Sequence, residues 1–189
     1  MTLLERIRQA PPEGLMSLDE CEQLAALAGN VPAHQAIVEI GFYRGLSSAW
    51  LAAGSRGARV TCVDFWPQPN PRDHDMRRRN GQAGALAAFL ELQEELGWPV
   101  TPLRARAVDA AAMWMQPVGL LFHDASHDYR SVNEDLAAWL PRLTSDAVIA
   151  LHDYTDEHGH RTDVAQVVDD LLGEWNHSQI VDKLWIGWR

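Results

Sequence analysis

The sequence predicts an α/β domain: a doubly wound, mostly parallel seven-stranded sheet with an antiparallel C-terminal strand and helices on both faces. Three observations carry this reading. Short apolar runs at residues 36–40, 59–64, 118–122 and 147–151 end at a polar or acidic residue and read as buried parallel strands. Helical periodicity fills the stretches between them, as right-handed crossovers require. The chain closes with HSQIVDKLWIGWR, two strand-like segments around a tight turn at Asp182 and Lys183, which makes the last strand antiparallel.

A chain of 189 residues fits a single domain, large enough to bury a core without disulfides or metal staples. Apolar residues at 47% and charged residues at 22% are ordinary values for a water-soluble globular chain. The net charge of -10 argues against a nucleic-acid partner, whose phosphates demand clustered Lys and Arg. Cys21 and Cys62 lack a CxxC partner and read as buried thiols in a reducing compartment. No stretch approaches the roughly 20 apolar residues that cross a bilayer. The expectation is a cytoplasmic protein with no membrane partner.

Residues 1–30 form a helical cap on a core that spans residues 36–189. Two helices, at 2–9 and 17–28, flank the breaker Pro11-Pro12-Glu13-Gly14, and Ser17 with Glu20 has the form of a capping box. Both are expected to cover a sheet edge or one side of a crevice. The stretch AIVEIGFYRGLSS at 36–48 then gives a strand, a glycine turn and a helix start. Its spacing, Glu-x-Gly-x-x-x-Gly, departs from the dinucleotide fingerprint, with Tyr43 where a central glycine would stand. Asp64, ending the second strand, faces the crevice beside the first, where a carboxylate can accept hydrogen bonds from ribose hydroxyls.

Periodicity stops at residues 65–81, FWPQPNPRDHDMRRRNG, which read as a long loop over the sheet edge, with Arg72, Arg77, Arg78 and Arg79 as a cationic lid or a solvated surface run. A helix follows at 84–96 and a short third strand at 100–104. Asp109 lies at the next strand-to-helix turn, where it either caps the helix or touches a bound base. The fourth strand ends in HDASHDY and the fifth in HDY, with a helix at 132–140 between them. Adjacent strands lie about 4.8 Å apart, so their tips bring Asp124, His127, His152 and Asp153 into one small volume. A last helix is expected at 162–175. His158 and His160 read as part of a polar loop. Of eight tryptophans, Trp66 and Trp114 are candidates for a substrate pocket, and exposure of Trp185 or Trp188 would point to a homodimer.

With these features in place, the chain from about residue 36 onward resembles the class I S-adenosylmethionine-dependent methyltransferases, whose fold is Rossmann-like. VEIGFYRGLSS resembles the first motif of the metal-dependent O-methyltransferases, including the catechol and macrolide-sugar enzymes. LLFHDASHDYRSVNEDLAAWLPRLTSDAVIALHDY resembles a stretch of the small-molecule group that holds the cephalosporin-hydroxylase-like proteins. There the usual element is Asp-Gly-Asp-His-Ser-Tyr; here Ala125 replaces the glycine and Ser126 the second acid. The resemblance implies that Gly41, Tyr43, Gly45 and Ser47 surround the methionine part of S-adenosyl-L-methionine. It further implies that Glu39 supports the loop or meets the amino group, that Asp64 holds the ribose and that Phe65 lies against the adenine. Asp109 and Asp124 complete the cofactor set it implies.

The chemistry follows from the residues themselves. A neutral hydroxyl is a poor nucleophile, helped by a divalent metal that lowers its pKa and by a base that takes its proton. Asp124, His152 and Asp153 offer oxygen and nitrogen ligands; carboxylates suit Mg²⁺ or Mn²⁺, and the histidine tilts the choice toward Mn²⁺, Fe²⁺ or Zn²⁺. His127, three residues after Asp124, turns back as the base, making His127 and Asp124 the expected catalytic pair. The acceptor is expected to be a small hydroxylated metabolite. Two other readings stay open: a metal-dependent hydrolase, which leaves the glycine turn and Asp64 without a task, and a non-catalytic S-adenosylmethionine-binding protein.

Overall fold

A computed structural model describes residues 1–65, 76–97, 100–175 and 177–188, with the backbone path alone for residues 76–83. Strands β1 (Ala36–Ile40), β2 (Arg59–Asp64), β3 (Val100–Arg104), β4 (Val118–His123) and β5 (Leu143–Leu151) are parallel neighbours in the order β3-β2-β1-β4-β5. The hairpin β6 (His177–Val181) and β7 (Leu184–Trp188) extends this sheet, with β7 inserted antiparallel beside β5 and β6 at the edge. The turn between them is the expected pair, and Asp182 takes the left-handed conformation, φ 52°, that such a turn needs.

Alternation of side chains along β1 divides the core in two. Ile37 faces a cluster with Ile7, Leu24, Trp50 and Phe89, supplied by helices α1 (Leu3–Gln9), α2 (Leu18–Asn30), α3 (Leu46–Gly54) and α4 (Met76–Leu96). Ala36, Val38 and Ile40 face the other cluster, with Leu136, Trp139 and Val167 from α6 (Tyr129–Trp139) and α7 (Asp163–Leu172) and with alanines of α5 (Ala107–Met113). The buried indole of Trp139 donates to Ala107 O at 3.0 Å, so the largest side chain on this face meets its polar requirement while joining α6 to α5.

Several expectations need correction. Helix α4 begins at Met76, so residues 76–81 are helical rather than loop. Past Pro71 there is no proline before Pro99, and Met, Arg and Gln are good helix formers. Arg77, Arg78 and Arg79 therefore lie on α4, whereas Arg72 and Trp66 fall outside the described residues. Strand β5 begins at Leu143 rather than 147, its polar start held by Thr144 Oγ1 donating to Val118 O at 3.2 Å. Trp185 is 4% exposed and stacked on Tyr154, and Trp188 is partly covered by His177. Trp114 packs on Trp139 and donates to Gln116 O at 2.7 Å. Both cysteines are buried free thiols, and burial pushes the Cys21 thiol up to about 12. Among the described residues no helix is long and apolar enough to cross a membrane.

Candidate active site

The site sits where the sheet order reverses. Chain connections leave β1 toward β2 and β4 toward β5, so the loops at the carboxyl ends of β1 and β4 diverge and open a crevice. Register fixes what meets there: Ile40 lies beside His123, and His123 beside Leu151. The next residues continue the pairing, with Asp124 N donating to Ile40 O at 2.8 Å and His152 N to His123 O at 3.0 Å. Gly41, Asp124 and His152 thus stand in a row at the sheet tip.

Gly41 has φ 81°, and a Cβ there would collide with the Asp124 carbonyl oxygen. The glycine therefore lets two protein segments close on each other, besides lining the crevice. Tyr43 is left-handed as well, φ 43°, a costly conformation for a bulky residue and a mark of functional loops. Gly45, φ 92°, opens α3 with no side-chain cap, leaving the cap position to backbone alone.

Two cavities share this turn. The larger, about 540 Å³, is lined by Gly41, Tyr43, Asp64, Phe65, Arg106 and Asp124 among others. The smaller, about 160 Å³, lies between the linker residues 13–16 and Phe42, Arg44, Ser47 and His127. Gly41, Tyr43, Asp124 and Ala125 line both, so the β1 and β4 tips form the partition. Arg44 crosses the smaller cavity's wall, paired with Glu13 at 2.9 Å and stacked over the Tyr43 ring.

Asp64 stands at the larger cavity with one oxygen near Phe42 N, 3.4 Å away; burial raises its pKa against the pull of the Phe42, Phe65 and Tyr43 amides. Phe65 is 56% exposed at the same wall, an open apolar face for a ring to lie on. Glu39 is spoken for by groups of the protein itself. Fully buried, it points toward α3 and accepts from the hydroxyls of Ser47 and Ser48 and from Cys62 Sγ at 2.8 Å. Ser47 accordingly spends its hydroxyl on Glu39 while its residue borders the smaller cavity.

Asp109 does not line either cavity. Arg106 is the N-cap of α5, which sets Asp109 in the first turn as a favourable charge for the helix dipole, without a capping bond. Arg106 and Ala107 reach the larger cavity in its place.

Asp124, which lines both cavities, and His152 and Asp153 behind it each offer one polar atom, all within 4.8 Å of one another. Along an extended strand His152 and Asp153 would face opposite ways, but Asp153 has φ 53° and its carboxylate returns to the histidine. His152 Nδ1 lies 3.3 Å from Asp124 Oδ1 and 3.4 Å from Asp153 Oδ2. Its Nε2 lies 3.4 Å from Glu20 Oε1. The ring is 5% exposed, and neither nitrogen makes an aligned hydrogen bond, an arrangement that suits a cation between ring and carboxylates better than direct bonds. Burial alone would lower the His152 pKa, but Asp124, Asp153 and Glu20 hold it up to about 12. Burial would raise Asp124; His127 and His152 outweigh it and keep the carboxyl well below the usual range. His127 Nε2 is 3.2 Å from Asp153 Oδ2 and 3.6 Å from Asp124 Oδ1, and Asp124, opposed by burial, raises its pKa.

The sequence pattern did not single out the cavity role of residues 13–16, Arg106 or Asp135, whose carboxylate meets buried His123 at 3.1 Å. These contacts arise across space, with no local spacing to betray them. His158 and His160 remain on an exposed loop, held by Asp156.

Residues 38–154 match the sequence profile of a family described as "Methyltransferase domain". Among proteins of curated function, none matches. Solved structures share the fold. Cofactor-bound Rv0187 from MTB aligns with TM-score 0.67 at 18% identity, over 98% of this chain and 87% of that one. The O-methyltransferase NovP aligns with TM-score 0.73 at 16% identity, over 98% and 88%. The O-methyltransferase from Bacillus cereus in complex with SAH aligns with TM-score 0.63 at 16% identity, over 99% and 89%. With the profile spanning the glycine turn, Asp64 and the tips of β4 and β5, the chain belongs to the family described as "Methyltransferase domain".

Proposed function

We propose that this chain transfers the methyl group of S-adenosylmethionine to a hydroxyl oxygen of a small molecule, with a divalent cation held by Asp124, His152 and Asp153. One observation carries the reading: two cavities meet at the Gly41–Asp124 partition, and Asp124 there is also a member of the carboxylate–imidazole cluster with His152 and Asp153. The larger cavity has the volume and the furniture for a nucleoside: a carboxylate, Asp64, for ribose hydroxyls and an exposed ring, Phe65, for the base. The smaller one receives the acceptor. The O-methyltransferases among the similar structures favour oxygen as the receiving atom.

In the transfer, the acceptor oxygen attacks the methyl carbon as the carbon–sulfur bond breaks, leaving S-adenosylhomocysteine and one proton to remove. His127, about half exposed at the smaller cavity beside Asp153, takes that proton at Nε2 in its neutral form. Tyr43 and Gly41 keep donor and acceptor compartments in line. A bound divalent cation would supply Lewis acidity, making the acceptor hydroxyl easier to ionise.

The test measures S-adenosylhomocysteine release from the full chain over a panel of catechols and hydroxylated sugars, with Mg²⁺, Mn²⁺ or EDTA. Turnover that needs the cation supports the reading. Tight S-adenosylhomocysteine binding with no turnover on any acceptor would favour a non-catalytic binder, and hydrolysis indifferent to the sulfonium would favour a metal-dependent hydrolase.

A further inference from the structure

We propose that Glu20 is a positioning residue of the cation centre: it holds Nε2 of His152, so that Nδ1 is the nitrogen that ligates. The inference rests on reading Asp124, His152 and Asp153 as cation ligands.

Glu20 belongs to the helical cap, outside the span 38–154 shared with the family. As the capping-box acid of α2 it has an ordinary local role, with Oε2 accepting from Ser17 N at 2.8 Å. That role explains one oxygen and not the burial, since Glu20 is 1% exposed and a capping acid on a surface helix has no need to be. Its other oxygen, Oε1, accepts from Lys183 N in the β6–β7 turn at 2.9 Å and stands 3.4 Å from His152 Nε2.

The two ring nitrogens of His152 therefore meet different neighbours. On the Nδ1 side are two part-exposed carboxylates at the cavity partition, and on the Nε2 side one buried carboxylate fixed by two backbone amides. A metal-bound imidazole keeps one N–H, and the group that accepts it sets the ring's orientation and the ligating nitrogen. Glu20 Oε1 is the carboxylate oxygen that faces Nε2, at 3.4 Å and without an aligned bond in this structure. It is not placed to ligate, because the ring stands between it and the cluster. The same carboxylate fastens α2 to the hairpin turn, a joint that Ser17 Oγ reinforces by donating to Asp182 Oδ2 at 2.6 Å. The helical cap thereby becomes part of the cation centre.

The test uses the full chain and titrates Mn²⁺ and Zn²⁺ by calorimetry into wild type, Glu20→Gln and Ser17→Ala. Loss of a partner behind a metal-bound histidine typically weakens the metal about 10–100-fold, the drop expected for Glu20→Gln. Ser17→Ala weakens the α2 cap but leaves the Glu20 carboxylate, so it is expected to lower Tm with metal affinity within about twofold. Independently of any variant, ¹⁵N-histidine NMR of the Zn²⁺-loaded wild type should show His152 protonated at Nε2 and bare at Nδ1. Ligation through Nε2, unchanged affinity in Glu20→Gln, or an equal loss in Ser17→Ala would each overturn the inference while leaving the cation site standing. A wild type that binds neither ion would remove the cation site and the inference with it.

Discussion

Glu39→Gln offers the sharpest measurement, because the carboxyl is fully buried and its surroundings are known atom by atom. Burial pushes its pKa from the ordinary 4.5 up to about 7; bonds from Cys62, Ser47 and Ser48 only partly offset this, and the nearby Asp124 charge adds to it. The folded state thus binds a proton that the unfolded chain has released, and stability falls as pH rises between those two values. It is fully present below about 4.5, and most of the loss is complete past 7. The difference of about 2.5 units, at 1.36 kcal/mol each, amounts to about 3 kcal/mol. Glutamine has the same shape and no charge to lose, and its amide finds acceptors in the two serine hydroxyls. The variant carries a constant offset at every pH. The stability of wild type minus that of Glu39→Gln should therefore drop by about 3 kcal/mol from pH 4.5 to pH 8 in urea unfolding curves. His127, His152 and the acids of the site titrate alike in both proteins and largely cancel in the difference. A difference that stays flat with pH would show that the carboxyl is not buried as described, and the account of how α3 is fastened beneath the glycine turn would fall.

Three further substitutions separate the compartments. Asp64→Ala removes the carboxylate of the larger cavity; S-adenosylhomocysteine affinity should fall at least about tenfold by calorimetry, given about 1.5–3 kcal/mol for hydrogen bonds to a charged group. Asp153→Asn removes a charge from the cluster; Mn²⁺ binding and turnover should be lost while S-adenosylhomocysteine affinity stays within about threefold, and the reverse pattern would exchange the two assignments. Gly41→Ala puts a Cβ into the Asp124 carbonyl at a left-handed position, and thermal melts should show a loss of about 1–3 kcal/mol, with a wild-type melting curve refuting the close approach of the β1 and β4 tips.

What the sequence disclosed depended on whether the signal was local. The β1 turn, the ends of β4 and β5 and the Asp182–Lys183 hairpin were readable because apolar runs stop sharply at polar residues. Once β4 and β5 are parallel neighbours, register brings Asp124 beside His152, and the left-handed backbone at Asp153 returns the third group to them. The start of α4 was hidden because prolines up to Pro71 spread their loop signal over the helix-forming residues that follow. Asp109 misled because the turn residue facing the cavity depends on helical phase, which the cap at Arg106 sets. Glu20 was harder still: the capping box already accounted for it, and its contact with His152 spans 132 positions of chain.

The division of labour between the family's span and the rest of the chain bears on acceptor choice. Residues 38–154 hold the whole partition, Asp64 and all three residues of the carboxylate–imidazole cluster. The smaller cavity is closed by residues 13–16, which precede that span, and Gly14 is packed so tightly on Leu46 that a Cβ would collide with its side chain. Leu15, 87% exposed, and Arg44, paired to Glu13, are therefore presented at the acceptor side by a fixed linker rather than a loose one. Glu20 and Lys183 N tie the helix after that linker to the terminal hairpin. If the smaller cavity takes the acceptor, as proposed, a change of acceptor can come from residues 13–16 without disturbing the larger cavity, since the Gly41–Asp124 wall lies between them.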